Sequence, residues 1–215
     1  MTVAVIADIV ASRRLDDRAG AQRSIVDAVQ TVQRDLPVAA APLAPVVGDE
    51  LQGEYDNLSG ALASLLLLRL ALPDDVDCRF GVGVGEVRPI ELADRTVPEG
   101  PAWWAAREAI DHIERLQQRA APLARTWIVL AEGQDATMTE TVALARAYAL
   151  GRDQLVSAMS ERSRRLTYGR CVGRSQRELA DAEGISQSAV SQALATAGAA
   201  ALVEGFGALT AEVRA

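Results

Sequence analysis

Two carboxylates and two arginines are the side chains in this chain best placed to do chemistry. Asp8 closes an apolar run in residues 5–12 (VIADIVAS), and Asp49 stands in residues 47–50 (VGDE). Two carboxylates at neighbouring strand ends repel each other unless a cation lies between them or one takes a proton. A hard divalent ion such as Mg²⁺ or Mn²⁺ takes carboxylate oxygens together with substrate phosphates. Arg13 and Arg14 follow the first acid closely enough to hold those phosphates. The alternative is that the two acids are unrelated and cap turns, as aspartate commonly does.

A second constellation lies in residues 175–194 (SQRELADAEGISQSAVSQAL). It reads as a helix-turn-helix over about residues 175–195, a unit that sets its second helix in a DNA major groove. Leu179, Ala180, Val190 and Leu194 supply the faces that pack the two helices together. Gly184 suits the left-handed end of the first helix, and Ser186 suits the N-cap of the second. Gln187, Ser188, Ser191 and Gln192 are left on the outer face, where Gln can pair with adenine and Ser with groove edge or backbone. Arg174 and Arg177 belong to a basic cluster with Arg162, Arg164, Arg165 and Arg170 that suits phosphates or, equally, a solvated helix face.

The remaining candidates are weaker. His112 is the only histidine and has no metal or triad partner pattern around it, so it reads as structural. Trp103 and Trp104 open a helix, where one of two adjacent residues faces the core and aromatic stacking on a base is the other option. Gly81, Gly83 and Gly85 alternate and share one face, open either to a ligand or to a closely packed helix. Glu86 either points to the aspartates or is a solvated strand end.

Composition bounds these readings. The chain has 215 residues, 49% of them hydrophobic, enough for one or two globular domains. All 22 basic residues are arginine, which excludes a P-loop or Schiff-base lysine. The net charge of −7 is uneven: residues 1–151 carry 14 Arg against 22 acids, and residues 152–215 carry 8 against 7. Cys78 and Cys171 are far apart and show no metal spacing, and no leader or cleavage site is evident, which suits a reduced cytoplasmic compartment. The apolar run 61–72 is too short to span a bilayer and is interrupted by Arg69, so no membrane span is expected.

The elements that must position these residues follow from periodicity. Residues 2–7 read as a buried strand ending at Asp8. A helix capped by Asp16 or Asp17 runs to about Arg34, with Ile25, Val29 and Val32 on one face. Pro37, Pro42 and Pro45 mark a turn region, and residues 46–55 read as a hairpin with Gly48 and Asp49 at its tip. Ser59 is expected to cap a helix to about Leu72. A strand over 78–87, a helix over 102–119, a strand over 125–130 and helices over 137–149 and 152–168 follow. The order β-α-β-β-α-β resembles the split βαβ, or ferredoxin-like, unit. The expected class is α+β, with a ferredoxin-like domain over 1–135, a connecting helix or linker over 136–151, and an all-α domain over 152–215.

Four segments of the first domain resemble the class III nucleotidyl cyclase catalytic fold. Residues 6–12 are similar to that family's first metal-aspartate strand, and residues 46–50 to its hairpin with the second aspartate. Residues 79–87 (RFGVGVGEV) are similar to its glycine-rich strand, and residues 100–107 (GPAWWAAR) to the helix start with its transition-state asparagine and arginine. The resemblance implies that Asp8 and Asp49 bind metal and that Arg107 offsets charge on a triphosphate. Trp103 stands where the family has its asparagine, and Pro45 where it has its adenine-selecting lysine. Neither side chain can replace the amide or amine, so cyclisation is not expected. The whole-chain pattern, with residues 47–53 (VGDELQG) and the terminal helix-turn-helix, resembles the SatD family, which implies a small bacterial cytoplasmic protein.

The expected function is a DNA-binding transcriptional regulator, a homodimer on two half-sites, whose first domain binds a nucleotide or phosphate ligand with a divalent metal. The alternative is a metal-dependent enzyme acting on a nucleoside triphosphate, with Arg107 as its catalytic cation. A third is a cyclase-like fold kept only for protein contacts.

Overall fold

The apolar run that begins the chain becomes the middle of a sheet. In the computed structural model, which describes residues 2–12, 17–46, 48–88, 90–91, 96–133 and 135–211, the architecture is mixed α+β. The elements are β1 (Thr2–Ile9), α1 (Arg18–Asp35), β2 (Ala39–Pro45), β3 (Glu50–Tyr55), α2 (Leu58–Ala71), β4 (Cys78–Gly85), β5 (Ile90–Glu91), β6 (Thr96–Val97), α3 (Pro101–Arg119), β7 (Thr126–Leu130), α4 (Ala136–Ser157), α5 (Glu161–Cys171), α6 (Gln176–Glu183), α7 (Gln187–Thr196) and α8 (Ala199–Thr210). The main sheet has the order β2-β3-β1-β4-β7, and β5 pairs with β6 apart from it. β1 is antiparallel to both β3 and β4, and β4 is parallel to β7. Because β1 is covered on both faces, Val3 to Ala7 are all buried, and the strand reads as unbroken apolar sequence rather than an alternating one.

Two of the three prolines expected to form a turn instead lie at the sheet edge, while Pro37 stays in the connection between α1 and β2. Pro42 and Pro45 belong to β2, whose pairing with β3 shifts between Ala39 and Ala41 and again between Ala41 and Ala44. An edge strand tolerates a residue with no N–H, which an interior strand does not.

Val3, Val5, Ala7 and Ile9 pack with α1 and α2 on one face of the sheet. Ala4 and Ile6 pack with Ala102, Trp103, Ala106 and Ile110 of α3 on the other. The alternating glycines of β4 serve this second contact. A Cβ on Gly83 would strike the carbonyl oxygen of Ala102, one on Gly81 that of Ala106, and one on Gly85 would lie 2.7 Å from the Ala131 Cβ. The open face therefore receives a helix backbone.

α2 is apolar all round because it is buried all round. It lies between the sheet and the helices α5 and α8, and Leu58 and every residue from Gly60 to Leu70 are buried. Its cap is Asn57, whose side chain accepts from the Gly60 N–H at 2.7 Å, rather than Ser59. The expected break near residue 150 is absent: α4 runs unbroken to Ser157, and Ser160 caps α5. Asp153 explains the continuity. Its carboxylate accepts from Arg69 at 2.8 Å and Arg152 at 2.7 Å, and from the backbone N–H groups of Arg125 and Thr126 at 2.7 Å each. The helix must pass over the start of β7 to make these bonds. Buried residues from β1 to α8 form one continuous cluster. Cys78 and Cys171 are buried and form no disulfide. Among the described residues no single helix is long and apolar enough to cross a membrane, though α7 and α8 meet that test as a pair bent by 81°.

Candidate functional site

Strand register builds a charged row at one end of the sheet. Residues directly opposite one another on neighbouring strands share a face. Asp8 lies opposite Glu50 of β3 on one side and Arg79 of β4 on the other. Like charges directly opposite destabilise a sheet, and here each acid has its own cation. Arg79 Nη1 donates to Asp8 Oδ2 at 2.9 Å. Arg107, from α3, donates to both Glu50 oxygens at 2.7 and 2.6 Å, and Gln52 donates to the same carboxylate at 2.9 Å. The Arg79 guanidinium is itself held by α3, donating to Gln117 at 2.7 Å and lying 3.6 Å from Glu114.

Asp8 and Asp49 line one cleft of about 820 Å³. Its other walls are the chain leaving β1 (Ile9, Val10, Ala11 and Ser12) and the side chains of Arg18, Arg79 and Glu114. Ala11 adopts φ 55°, the left-handed region that costs a residue with a Cβ roughly 1–2 kcal/mol. Burial pushes the Asp8 carboxyl above its ordinary range; Arg79 offsets this in part, and the charges of Asp49 and Glu114 push it further up. The cleft thus holds a carboxylate whose surroundings do not fully compensate its charge.

The other expected site residues fall in different places. Arg107 does not line the cleft but is tied to Glu50 beside it. Arg13 and Arg14 lie outside the described residues. Trp103 is buried against the sheet, while Trp104 is exposed and its indole donates to Glu99 at 2.7 Å. Glu86 follows the far end of β4, away from Asp8, and pairs with Arg88 at 2.6 Å. His112 stacks on Trp127 with ring centroids 4.2 Å apart, and burial together with Arg115 and Arg146 holds its pKa down. The residues missed from sequence are Arg79, Glu114 and Arg18. Arg79 was findable two positions before Gly81 on the same face, and Glu114 two helical turns after Arg107.

The tail carries a second candidate surface. α6 opens on a reciprocal cap, in which Ser175 and Glu178 each bond the other's backbone N–H. It ends on Gly184 at φ 64°, and Ser186 caps α7. Leu179, Ala180, Val190 and Leu194 are buried, whereas Gln187, Ser188, Ser191, Gln192, Arg174 and Arg177 are exposed. The basic cluster is not a single stripe. Arg165 and Arg162 pair with Glu183, and Arg164 turns away to Asp74.

Among solved structures, the chain is similar to a bacterial light-regulated adenylyl cyclase at 10% identity and a TM-score of 0.43, over 59% of this chain and 74% of that one. A second structure of a bacterial light-regulated adenylyl cyclase matches at 10% identity and a TM-score of 0.44, over 59% of this chain and 42% of that one. No curated protein matches. A family model covers residues 2–203, nearly the whole of the sheet and tail just described, and the chain belongs to the SatD family.

Proposed function

We propose that this chain is a DNA-binding transcriptional regulator whose sheet domain takes a nucleotide or related phosphate ligand with a divalent cation. One observation carries the reading: α7 buries Val190 and Leu194 while turning Gln187, Ser188, Ser191 and Gln192 to solvent. A helix held by its apolar side behind a left-handed glycine turn, with short amide and hydroxyl side chains outward, is fitted to a major groove. We read α6 and α7 as a helix-turn-helix, Arg174 and Arg177 as phosphate contacts, and the β2-β3-β1-β4 core as a ferredoxin-like, cyclase-like domain. A homodimer would present two such helices to two half-sites, in the cytoplasm. The expected result is that a duplex selected from random sequence loses at least about tenfold in affinity with Gln187→Ala plus Gln192→Ala, roughly 1–3 kcal/mol per lost base contact. Unchanged footprints with the double variant would remove the proposal.

The ligand half of the reading rests on the cleft. Asp8 and Asp49 offer the hard oxygen donors that Mg²⁺ or Mn²⁺ takes, and the incompletely compensated Asp8 charge suits a cation. Among the described residues no three acids, histidines or cysteines gather as a metal cage. A cation held by two carboxylates would complete its shell with ligand phosphates and water, so metal and nucleotide should bind together. When bound, the ion would neutralise phosphate charge; Arg79 would yield Asp8 to it, and Arg18 faces the same space. ATP, GTP and pyrophosphate, each titrated with and without Mg²⁺, should show metal-dependent binding that Asp49→Asn weakens at least about tenfold. Equal binding by the variant would sink this half. The same cleft also favours a second reading, an enzyme acting on a nucleoside triphosphate, with Arg107 released from Glu50 to the phosphates. Product formation from any nucleotide in that panel, lost in Asp49→Asn, would support it.

A further inference from the structure

A second pocket, of about 270 Å³, opens where the sheet meets the tail and shares no lining residue with the Asp8 cleft. Arg69, Arg125 and Arg164 converge on it from α2, the loop before β7 and α5, facing Asp74, Asp77 and Ser157. The three arginine side chains are only 5%, 11% and 11% exposed. Arg125 Nε donates to Asp77 at 2.5 Å, and Arg69 Nη2 donates to the Ser157 hydroxyl at 3.0 Å. That hydroxyl, having accepted, keeps its own hydrogen to donate.

Arg164 is the informative side chain. Its Nη2 donates to Asp74 at 2.7 Å and to the Leu72 carbonyl at 3.1 Å. Its Nε is buried and has no hydrogen-bond partner among the described residues. Nε and Nη2 form one edge of the guanidinium, the edge that carboxylates and phosphates grip with two parallel bonds. Asp74 takes half of that edge with a side chain that is 66% exposed. A buried donor left unpaired costs roughly 1–3 kcal/mol, so an oxyanion spanning both nitrogens would gain what Asp74 does not supply.

We infer that this pocket binds a small oxyanion, a carboxylate or phosphate head, across the Nε–Nη2 edge of Arg164, with Arg69 and Ser157 completing the contact and Asp74 as the group displaced. The probes are inorganic phosphate and acetate, titrated into the full chain against chloride at equal ionic strength without added metal, with melting temperature and calorimetric heat as readouts. At least one anion should bind saturably; the stronger of the two identifies the head. Arg164→Gln should weaken binding at least tenfold, and Arg164→Lys, which keeps charge and loses the planar edge, should do the same if the first variant is unstable. Asp74→Asn should tighten binding severalfold. The response should persist in Asp49→Asn, which separates this pocket from the nucleotide cleft. No preference over chloride, an unchanged Arg164→Lys, a weakened Asp74→Asn, or loss with Asp49→Asn would overturn the inference.

Discussion

Asp8 stands between a like charge and an opposite one, and its behaviour follows from that position. Glu50 lies across one strand pair and Arg79 across the other. Burial raises the Asp8 pKa, with Asp49 and Glu114 adding to it and Arg79 opposing. For an acid whose folded pKa is raised, the folded state holds the proton more tightly, so stability falls as pH rises from the ordinary carboxylate value, about 3.9, through the raised one. Asp8→Asn has no such loss. The variant should gain stability relative to the parent as pH rises through that window and then hold a constant advantage, seen as diverging and then parallel melting temperatures. An advantage that shrinks with rising pH would contradict the assignment. Asp8 and Asp49 were legible as a pair from sequence, because apolar runs ending in acids mark strand ends. The partner cations were not. Arg79 and Glu50 are 71 and 42 residues from Asp8, and only strand register sets them in one row. Arg107 was legible as a cation near the site but not as the partner of Glu50.

At the scale of elements, α3 lies with its backbone directly against β4, and that contact depends on residues with no side chain. A methyl group on Gly83 would meet the Ala102 carbonyl and lie 2.5 Å from the Ala106 nitrogen. Gly83→Ala should therefore cost about 1–3 kcal/mol or more by forcing the helix off the sheet. Gly207 supplies the contrast, since a Cβ there meets nothing within 4 Å. Gly207→Ala, within α8, should be neutral or stabilising by roughly 0.5–1 kcal/mol. Urea unfolding of both variants tests the pair, and similar midpoints would argue against close approach as the reason for the glycines. The alternation of the three glycines was visible in sequence, but it left ligand and helix equally open as occupants. Helix ends were legible where a cap was local: Asp17, Gly184 and Ser186 act as their chemistry suggests. The course of α4 was not, because a buried carboxylate and not a local signal holds it straight.

Across the whole molecule, Asp153 joins three elements that the sequence separates. It receives Arg69 of α2, Arg152 of α4 and two backbone N–H groups at the start of β7. Burial opposes its charge, but Arg152, Arg69 and the N–H bonds outweigh burial and hold its pKa below the usual range. Asp153→Asn keeps the shape, leaves the buried Arg152 guanidinium uncompensated and leaves Arg69 with only Asp77 at 4.0 Å, so it should cost about 3–5 kcal/mol at neutral pH. A depressed acid contributes stability that is present above about pH 3.9 and lost as pH falls through the lower folded value. The acid limb of unfolding should accordingly be shallower in Asp153→Asn than in the parent. A loss under 1 kcal/mol would show that the cluster is not what couples tail to sheet.

Sequence alone was sufficient for what depends on neighbours along the chain: the buried strand β1, the capped turn between α6 and α7, the apolar faces of those helices, and an acid at the end of β1 and another in the turn before β3, whereas β2 lies where the prolines suggested a turn. These follow from periodicity and from side chains bonding backbone a few residues away. The tertiary structure decided which charges meet. Arg79 went to Asp8, Arg107 to Glu50, Arg164 to Asp74 and Arg69 to Asp153. An ion pair is chosen by distance and burial in three dimensions, and no spacing along a chain of arginines and carboxylates distinguishes one such partner from another.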